Sequence, residues 1–197
     1  MKTPARLALR GLPLAGFFLG GLAIQVTFLS LPADAQVAKS KELKLPFNLR
    51  WNESAERIEK ALSAAKARVV QRRAVRGGKE AWDIEGIAAD QMPGLKKSVF
   101  SFKQGILVGI ELQYSDEKWP DDQYGEMMSE FRKRINERYG EGQLLARKTE
   151  ELGEIRQTIV GHKWQVANTS LKLVYFSAVD KKHSLRTVSL HYANEGF

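Results

Sequence analysis

The chain has 197 residues, no cysteine and a formal net charge of +8 at pH 7, from 31 Lys and Arg residues against 23 Asp and Glu residues. The missing cysteine excludes disulfides, cysteine-type zinc sites, haem attachment, thiol nucleophiles and the lipidated cysteine of a bacterial lipoprotein. A mature part of roughly 160 residues buries about 70 % of its unfolded surface, so one hydrophobic core can hold it without disulfides.

The N-terminus has the layout of a secretory signal peptide over residues 1–35. Basic residues come first, an apolar run follows and two small residues end the segment: Lys2, Arg6 and Arg10, then residues 12–31, then Ala33 and Ala35. This order predicts cleavage after Ala35 and a mature chain that is periplasmic or secreted. The apolar run has 20 residues, enough to span a bilayer. The alternative is therefore an uncleaved anchor over residues 12–31 that holds the domain outside the cytoplasm.

The charge of the mature chain narrows the classes of partner. Residues 1–35 contain three basic residues and one acidic residue, so 28 basic and 22 acidic residues remain, and the net charge is +6. Nucleic acid is not an expected partner outside the cytoplasm, and a moderate positive charge favours an acidic protein or an anionic envelope polymer. Solubility alone is the competing explanation of the charge. We expect contact with a membrane only through the N-terminal segment, if it stays uncleaved.

The first half of the domain predicts one helix and four strands. Residues 36–44 are polar and predict a flexible lead-in to a single domain over 45–197. Residues 47–51 alternate apolar and polar side chains, which is typical of a short strand. A helix should begin after Ser54 and extend over about 55–67. Four strands should follow, near residues 68–73, 81–85, 98–102 and 106–114.

The second half predicts the same elements again. A break at residues 119–122 offers caps for a second helix, and Gly140 ends that helix. Four more strands are predicted near residues 143–148, 155–166, 171–177 and 185–192. The halves 45–118 and 119–197 therefore share the order of one helix and four strands.

Two pairs of segments also correspond between the halves. They are Trp82-Asp83-Ile84 with Trp164-Gln165-Val166, and residues 110–114 with 188–192, which share an x-Leu-x-Tyr ending. Successive hairpins of this kind form antiparallel sheets, and helices cover the apolar face of such a sheet. We expect an α+β fold in which tandem α-β4 repeats form one antiparallel sheet with two helices on one face.

Three local marks accompany this order of elements: the segment Trp51-Asn52-Glu53-Ser54 before the first helix, Tyr139-Gly140 at the end of the second, and the two x-Leu-x-Tyr strands. With them, residues 45–197 resemble the β-lactamase inhibitor protein family and the small envelope proteins of the outer-membrane-assembly lipoprotein type. The resemblance implies the fold and a general role in protein binding, and it transfers no functional residue. The chain departs from the inhibitors by its missing disulfides and from the lipoproteins by its missing lipidated cysteine.

Motifs for catalysis, metals and cofactors are missing from the sequence. The three histidines, His162, His183 and His191, lack the spacing of a metal site. Neither a nucleophile elbow nor a phosphate-binding loop occurs. We therefore expect no metal, no cofactor and no enzymatic activity.

One pair of carboxylates keeps an enzymatic alternative open. Asp83 and Glu85 are two residues apart on a predicted strand and would share a face of the sheet. Glycan hydrolysis needs two carboxylates, so the alternative function is a small envelope hydrolase that uses Asp83 and Glu85. An exposed strand face, opposite the apolar Trp82 and Ile84, is the competing interpretation.

The densest polar feature is a basic segment with six Lys and Arg residues within positions 66–79. Its candidate binding residues are Arg72, Arg73, Arg76 and Lys79. Alternation along a strand would point Arg72 and Arg73 to opposite faces. Solvated charge that protects an edge strand is the competing interpretation. The function predicted from the sequence is an exported, non-enzymatic module that binds a protein or an anionic envelope polymer.

Overall fold

The computed structural model describes residues 42–87 and 92–197. The predicted signal peptide, its cleavage after Ala35 and the alternative anchor over 12–31 lie outside the described residues. The described residues belong to one compact unit, which extends over 37–197. Within this part of the chain, neither helix has the length and the apolar character needed to span a bilayer.

Two helices and eight strands form the domain, in the order of one helix and four strands, twice. In chain order they are α1 (Ala55–Ala64), β1 (Arg68–Val75), β2 (Lys79–Glu85), β3 (Leu95–Lys103), β4 (Ile106–Tyr114), α2 (Asp121–Tyr139), β5 (Gln143–Leu152), β6 (Ile155–Val166), β7 (Thr169–Val179) and β8 (Ser184–Asn194).

The predicted strand over residues 47–51 is wrong. A 3₁₀ turn at Pro46–Asn48 stands in its place. Phe47 and Asn48 have φ angles of 59° and 56°, in the left-handed region, whereas a strand needs extended backbone. The alternation of apolar side chains therefore reflects a turn that packs on the core.

The end of the predicted lead-in 36–44 also packs on the core. Leu43 is only 4 % exposed and belongs to the hydrophobic cluster. After the 3₁₀ turn, Trp51 Nε1 donates to Thr169 Oγ1 of β7 at 2.8 Å. The residues before α1 therefore connect the first half of the chain to the second.

All eight strands form one antiparallel sheet, in the order β1-β2-β3-β4-β8-β7-β6-β5. The last strand of each half, β4 and β8, pair at the centre, where Leu112 lies opposite Leu190. The edges of the sheet are consequently β1 and β5. This arrangement confirms the predicted α+β class and the single antiparallel sheet.

Both helices pack against the same face of the sheet, which we call the helical face. α1 buries Ile58 and Leu62, and α2 buries Tyr124 and Met128. All four side chains belong to one hydrophobic cluster. The strand residues of that cluster include Trp82, Phe100, Ile110, Leu171, Leu173 and Val188. The other face, which no helix covers, is called the helix-free face below.

The strand register corrects the correspondence expected between Trp82 and Trp164. The two residues end a single row of opposing side chains that crosses six strands: Trp82, Phe100, Ile110, Tyr192, Leu171 and Trp164. A two-fold axis through the central Leu112–Leu190 pair would place equivalent residues in different rows. The predicted match of the two tryptophans is therefore wrong.

The two tryptophans are also held by different interactions. Trp164 Nε1 donates to Asn136 Oδ1 at 3.0 Å and to the Gly140 carbonyl oxygen at 2.9 Å, which ties the C-terminal end of α2 to β6. Trp82 Nε1 is buried and has no hydrogen-bond partner among the described residues. The Trp82 ring instead packs against Phe102, with 4.4 Å between centroids.

Candidate binding sites

The basic segment is divided between the two faces of the sheet. Arg72 pairs with Glu59 of α1 and lies 4.2 Å from the centre of the Trp82 ring, on the helical face. Arg73 Nη2 donates to Asp83 Oδ1 at 2.8 Å on the helix-free face. The opposite directions of Arg72 and Arg73 follow the alternation of a strand. Both charges are compensated within the domain.

Two of the four predicted binding residues keep uncompensated charge. Arg76 lies in the turn between β1 and β2, and Lys79 begins β2. Neither forms an ion pair with another of the described residues. Exposed cations at a turn contact anions without a desolvation cost, but salt screens such contacts. The structure therefore leaves a pair of cations where the sequence predicted four.

The carboxylates of the hydrolase alternative are both paired with cations. Asp83 is 5 % exposed, and its second oxygen, Oδ2, lies 2.7 Å from Lys97 Nζ. Burial raises the pKa of Asp83, but hydrogen bonds and charges of Lys97 and Arg73 outweigh burial and hold that pKa below its ordinary value. Glu85 pairs with Arg68 at 2.8 Å. A glycosidase acid needs a raised pKa instead, so this geometry does not favour hydrolysis.

A polar row continues across the centre of the helix-free face. Gln113 Nε2 donates to Glu111 Oε1 at 2.5 Å, and Glu111 Oε2 lies 3.7 Å from His191 Nδ1. Ser189 Oγ is 2.8 Å from His191 Nε2. Burial lowers the pKa of His191; the charge of Lys172 acts in the same direction and that of Glu111 opposes it. The described residues contain no group of three His, Asp or Glu side chains placed to hold a metal ion.

The second half of the helix-free face contains a group of apolar side chains beside charged ones. Ile159 of β6 lies opposite Phe176 of β7, and Leu185 of β8, opposite Ala178, is 60 % exposed. These side chains and two neighbours form a surface that we call the apolar strip: Leu145, Ile159, Val174, Phe176 and Leu185.

Gly161 brings the strip together near the sheet edge. A Cβ atom at this glycine would lie 3.7 Å from Leu145 Cβ and 3.8 Å from Val174 Cγ2, so these two side chains approach each other over the bare backbone. The apolar strip was not predicted from the sequence. The available signal was in β7, where apolar residues occupy both faces between Leu171 and Val179.

A cavity of about 790 Å³ lies on the helical face between α2 and the centre of the sheet. Leu112, Leu190 and Tyr192 are part of its floor, and Phe131 and Ile135 of α2 are part of its wall. Lys44, Leu45, Pro46 and Asn48, which precede α1, also line the cavity. No local pattern in the sequence indicates this cavity, because its lining comes from six separate parts of the chain: the residues before α1, Met92, β4, α2, β7 and β8.

Two phenols of the cavity are strongly perturbed. Burial raises the pKa of Tyr114 to about 12. Burial, and then the neighbouring phenols of Tyr114 and Tyr139, raise the pKa of Tyr192 still further, against the opposing charge of Arg138. Both hydroxyls therefore stay protonated at neutral pH and remain hydrogen-bond donors.

Comparison of the chain with protein families, with curated proteins and with solved structures gives no match. Its function is therefore inferred from the surfaces described above.

Proposed function

We propose that the chain is an exported, non-enzymatic module that binds a protein partner with the helix-free face of its sheet. The observation that carries this proposal is the apolar strip on a face that no other part of the described chain covers. Leu185 is 60 % exposed and Leu145 is 47 % exposed. Contiguous exposed apolar side chains, rimmed by polar residues, are typical of protein–protein contact sites.

Charges beside the strip indicate the kind of protein partner. Lys163 of β6 and Lys172 of β7 lie opposite each other on the same face. Lys163 is 3.6 Å from Glu195, and Lys172 is exposed. Positive charge at the rim of an interface speeds association with acidic surfaces. The preferred partner is therefore a protein with an apolar patch and acidic residues around it.

The experiment is a pull-down from envelope extract with a pair of matched double variants. F176S/L185S removes two side chains of the strip, and V70S/V75S removes two exposed valines of the first half, which are 46 % and 42 % exposed. We expect the wild type and V70S/V75S to retain the same protein and F176S/L185S to lose it. Thermal unfolding of all three proteins controls for folding. Equal retention by both variants would contradict the proposal.

Export is the second part of the proposal, and the order of charges, apolar run and small residues over 1–35 supports it. N-terminal sequencing of the protein recovered from cells tests it. A chain that begins at Gln36 is expected. An intact chain with Met1 in the membrane fraction would favour the anchor over residues 12–31.

We also propose that the halves 45–118 and 119–197 are tandem α-β4 repeats, related to the β-lactamase inhibitor and outer-membrane-assembly fold. The repeated order of elements supports this, as does the central pairing, because a two-fold axis through it superposes 110–114 on 188–192. Superposition of the halves, taken over residues 54–114 and 122–192, is the test. Alignment of the two x-Leu-x-Tyr strands together with both helices is expected; helices that fall on different strands would contradict duplication.

An anionic envelope polymer is the second partner class, and Arg76 and Lys79 are the residues that support it. The small envelope hydrolase, the alternative from another class, would need Asp83 or Glu85 to donate a proton. The two cations on Asp83 oppose that role, since they favour its ionised form. The non-enzymatic module therefore remains the preferred proposal.

A further inference from the structure

The cavity between α2 and the centre of the sheet has a chemistry of its own. Its volume of about 790 Å³ lies within the range of small-molecule sites, about 300–1,000 Å³. It opens on the helical face, whereas the apolar strip lies on the opposite face. A ligand here would leave the proposed protein-binding surface free.

Part of the cavity lining is apolar. Phe131 and Ile135 of α2 and Leu45 before α1 are half-buried, and Phe131 stands edge-on to Tyr114 with 5.1 Å between ring centroids. Apolar walls of this kind favour an apolar body, because burial of its surface removes it from water. The volume suits a single acyl chain or ring system rather than a two-chain lipid.

The rim is cationic. Lys44, Arg134 and Arg138 line the cavity and are exposed, against a single acidic lining residue, Glu137. Arg134 forms an ion pair with Glu130, with 2.7 Å between Nε and Oε1. Lys44 and Arg138 form no ion pair with any of the described residues. An anionic group at this rim would therefore meet two uncompensated charges and make charge-assisted hydrogen bonds.

Neutral donors lie next to these cations. Arg138 and the Tyr192 phenol line the same cavity. Tyr139 Oη accepts a hydrogen bond from the Lys44 backbone N–H at 3.2 Å, which fixes the lead-in beside the end of α2. Apolar side chains, phenols and cations therefore line one cavity.

We propose that this cavity binds a single-chain anionic amphiphile, with its apolar chain against Phe131 and Ile135 and its carboxylate or phosphate at Lys44 and Arg138. The cations provide the preference for a charged head group, and the apolar side chains of α2 provide the preference for a chain. The ligand class is thus a fatty acid or a lysophospholipid with a phosphate head.

The test is a titration of the protein, purified as the cell makes it, with oleate, oleyl alcohol and oleoyl lysophosphatidic acid as probes. We expect oleate to bind at least tenfold more tightly than the uncharged alcohol. Whichever acid binds more tightly identifies the head group. Equal affinity of the alcohol and both acids would overturn the anionic part of the proposal, and no binding of any probe would overturn all of it.

Variants of the rim and of the wall localise the binding. K44Q/R138Q should weaken the binding of oleate about tenfold, to the affinity of oleyl alcohol. The control K133Q, at an exposed position of α2 that does not line the cavity, should leave the affinity for oleate unchanged. I135W should fill the cavity and abolish binding of oleate and alcohol alike. If I135W does not fold, the rim variant decides alone. Unchanged oleate affinity in K44Q/R138Q would contradict the site, and unchanged oleate affinity in F176S/L185S is expected because that strip is separate.

Discussion

The two halves of the sheet expose different chemistry on the same helix-free face. In the first half, Asp83 lies between Arg73 and Lys97, so charges satisfy one another. In the second half, Ile159 lies opposite Phe176 with no charge between them. An ion-paired surface is stable in water, whereas an exposed apolar surface gains free energy by contact. One architecture therefore gives one self-sufficient surface and one surface suited to a partner.

The largest difference between the halves should appear in their buried tryptophans. W164F removes a donor that serves Asn136 Oδ1 and the Gly140 carbonyl oxygen, and of these two acceptors only Asn136 Oδ1 keeps a second donor, the Gly142 N–H. W82F instead removes a donor that has no partner among the described residues. Both variants lose similar ring area. We expect W164F to lower the free energy of unfolding by about 1–3 kcal/mol more than W82F, measured by urea titration. Equal losses would show that the tie between α2 and β6 contributes nothing.

Asp83 should be the most sensitive charge of the first half. D83N removes the two ion pairs of a buried carboxylate, with Arg73 and Lys97. We expect it to lower the free energy of unfolding by about 1–3 kcal/mol at pH 7. E85Q is the matched control, because its exposed pair with Arg68 should contribute at most about 1 kcal/mol. Since the folded pKa of Asp83 is lowered, its contribution is complete above the unfolded pKa of about 3.9. It is lost as the pH falls through the folded pKa, so D83N and wild type should converge there.

His162 of the second half should make the free energy of unfolding depend on pH at milder acidity than Asp83 does. It is 4 % exposed, and its Nδ1 has no partner among the described residues. Burial and then the charges of Arg132 and Arg147 lower its pKa, against the opposing charge of Glu141. The unfolded chain therefore takes up a proton below about pH 6.5, and the free energy of unfolding falls with pH from there. H162Q should flatten this slope between about pH 6.5 and 5. An unchanged slope would assign it to other groups, such as His191.

The smallest effect on stability is expected at the two uncompensated cations of the first half. R76S/K79S should change the free energy of unfolding by less than about 0.5 kcal/mol. The variant should nevertheless elute from heparin at lower salt than the wild type, because exposed charges govern such retention. R73S is the contrast, since it leaves Asp83 with Lys97 alone and should lower stability. Identical elution of R76S/K79S and wild type would remove the anionic polymer from the candidate partners.

Local periodicity predicted much of the fold. The alternation between Ile106 and Tyr114 gave β4 with the bounds that the structure has, and both helices and all eight paired strands were expected. The turn at Pro46–Asn48 escaped because non-glycine residues in the left-handed region leave no mark in a hydrophobic pattern. Likewise, the match of Trp82 with Trp164 failed because the equivalence of residues in the two halves depends on how β4 pairs with the distant β8, which local periodicity does not show.

The candidate sites were harder to predict than the fold. Strand alternation correctly separated Arg72 from Arg73, but the carboxylates that neutralise them, Glu59 and Asp83, come from other elements. The cavity depends on the central pairing of β4 with β8, which brings Leu112 beside Leu190. Sites assembled from distant segments become visible only once the order of the strands is known.

Photo-crosslinking in cells tests the central claim, that the second half of the helix-free face binds a protein. A photoreactive phenylalanine analogue is placed at Phe176 or Leu185 in the strip, and at Gln71 or Gln113 on the first half of the same face. We expect one discrete adduct from the strip positions and none from the other two. Adducts of equal yield from both halves, or adducts only from the first half, would contradict it.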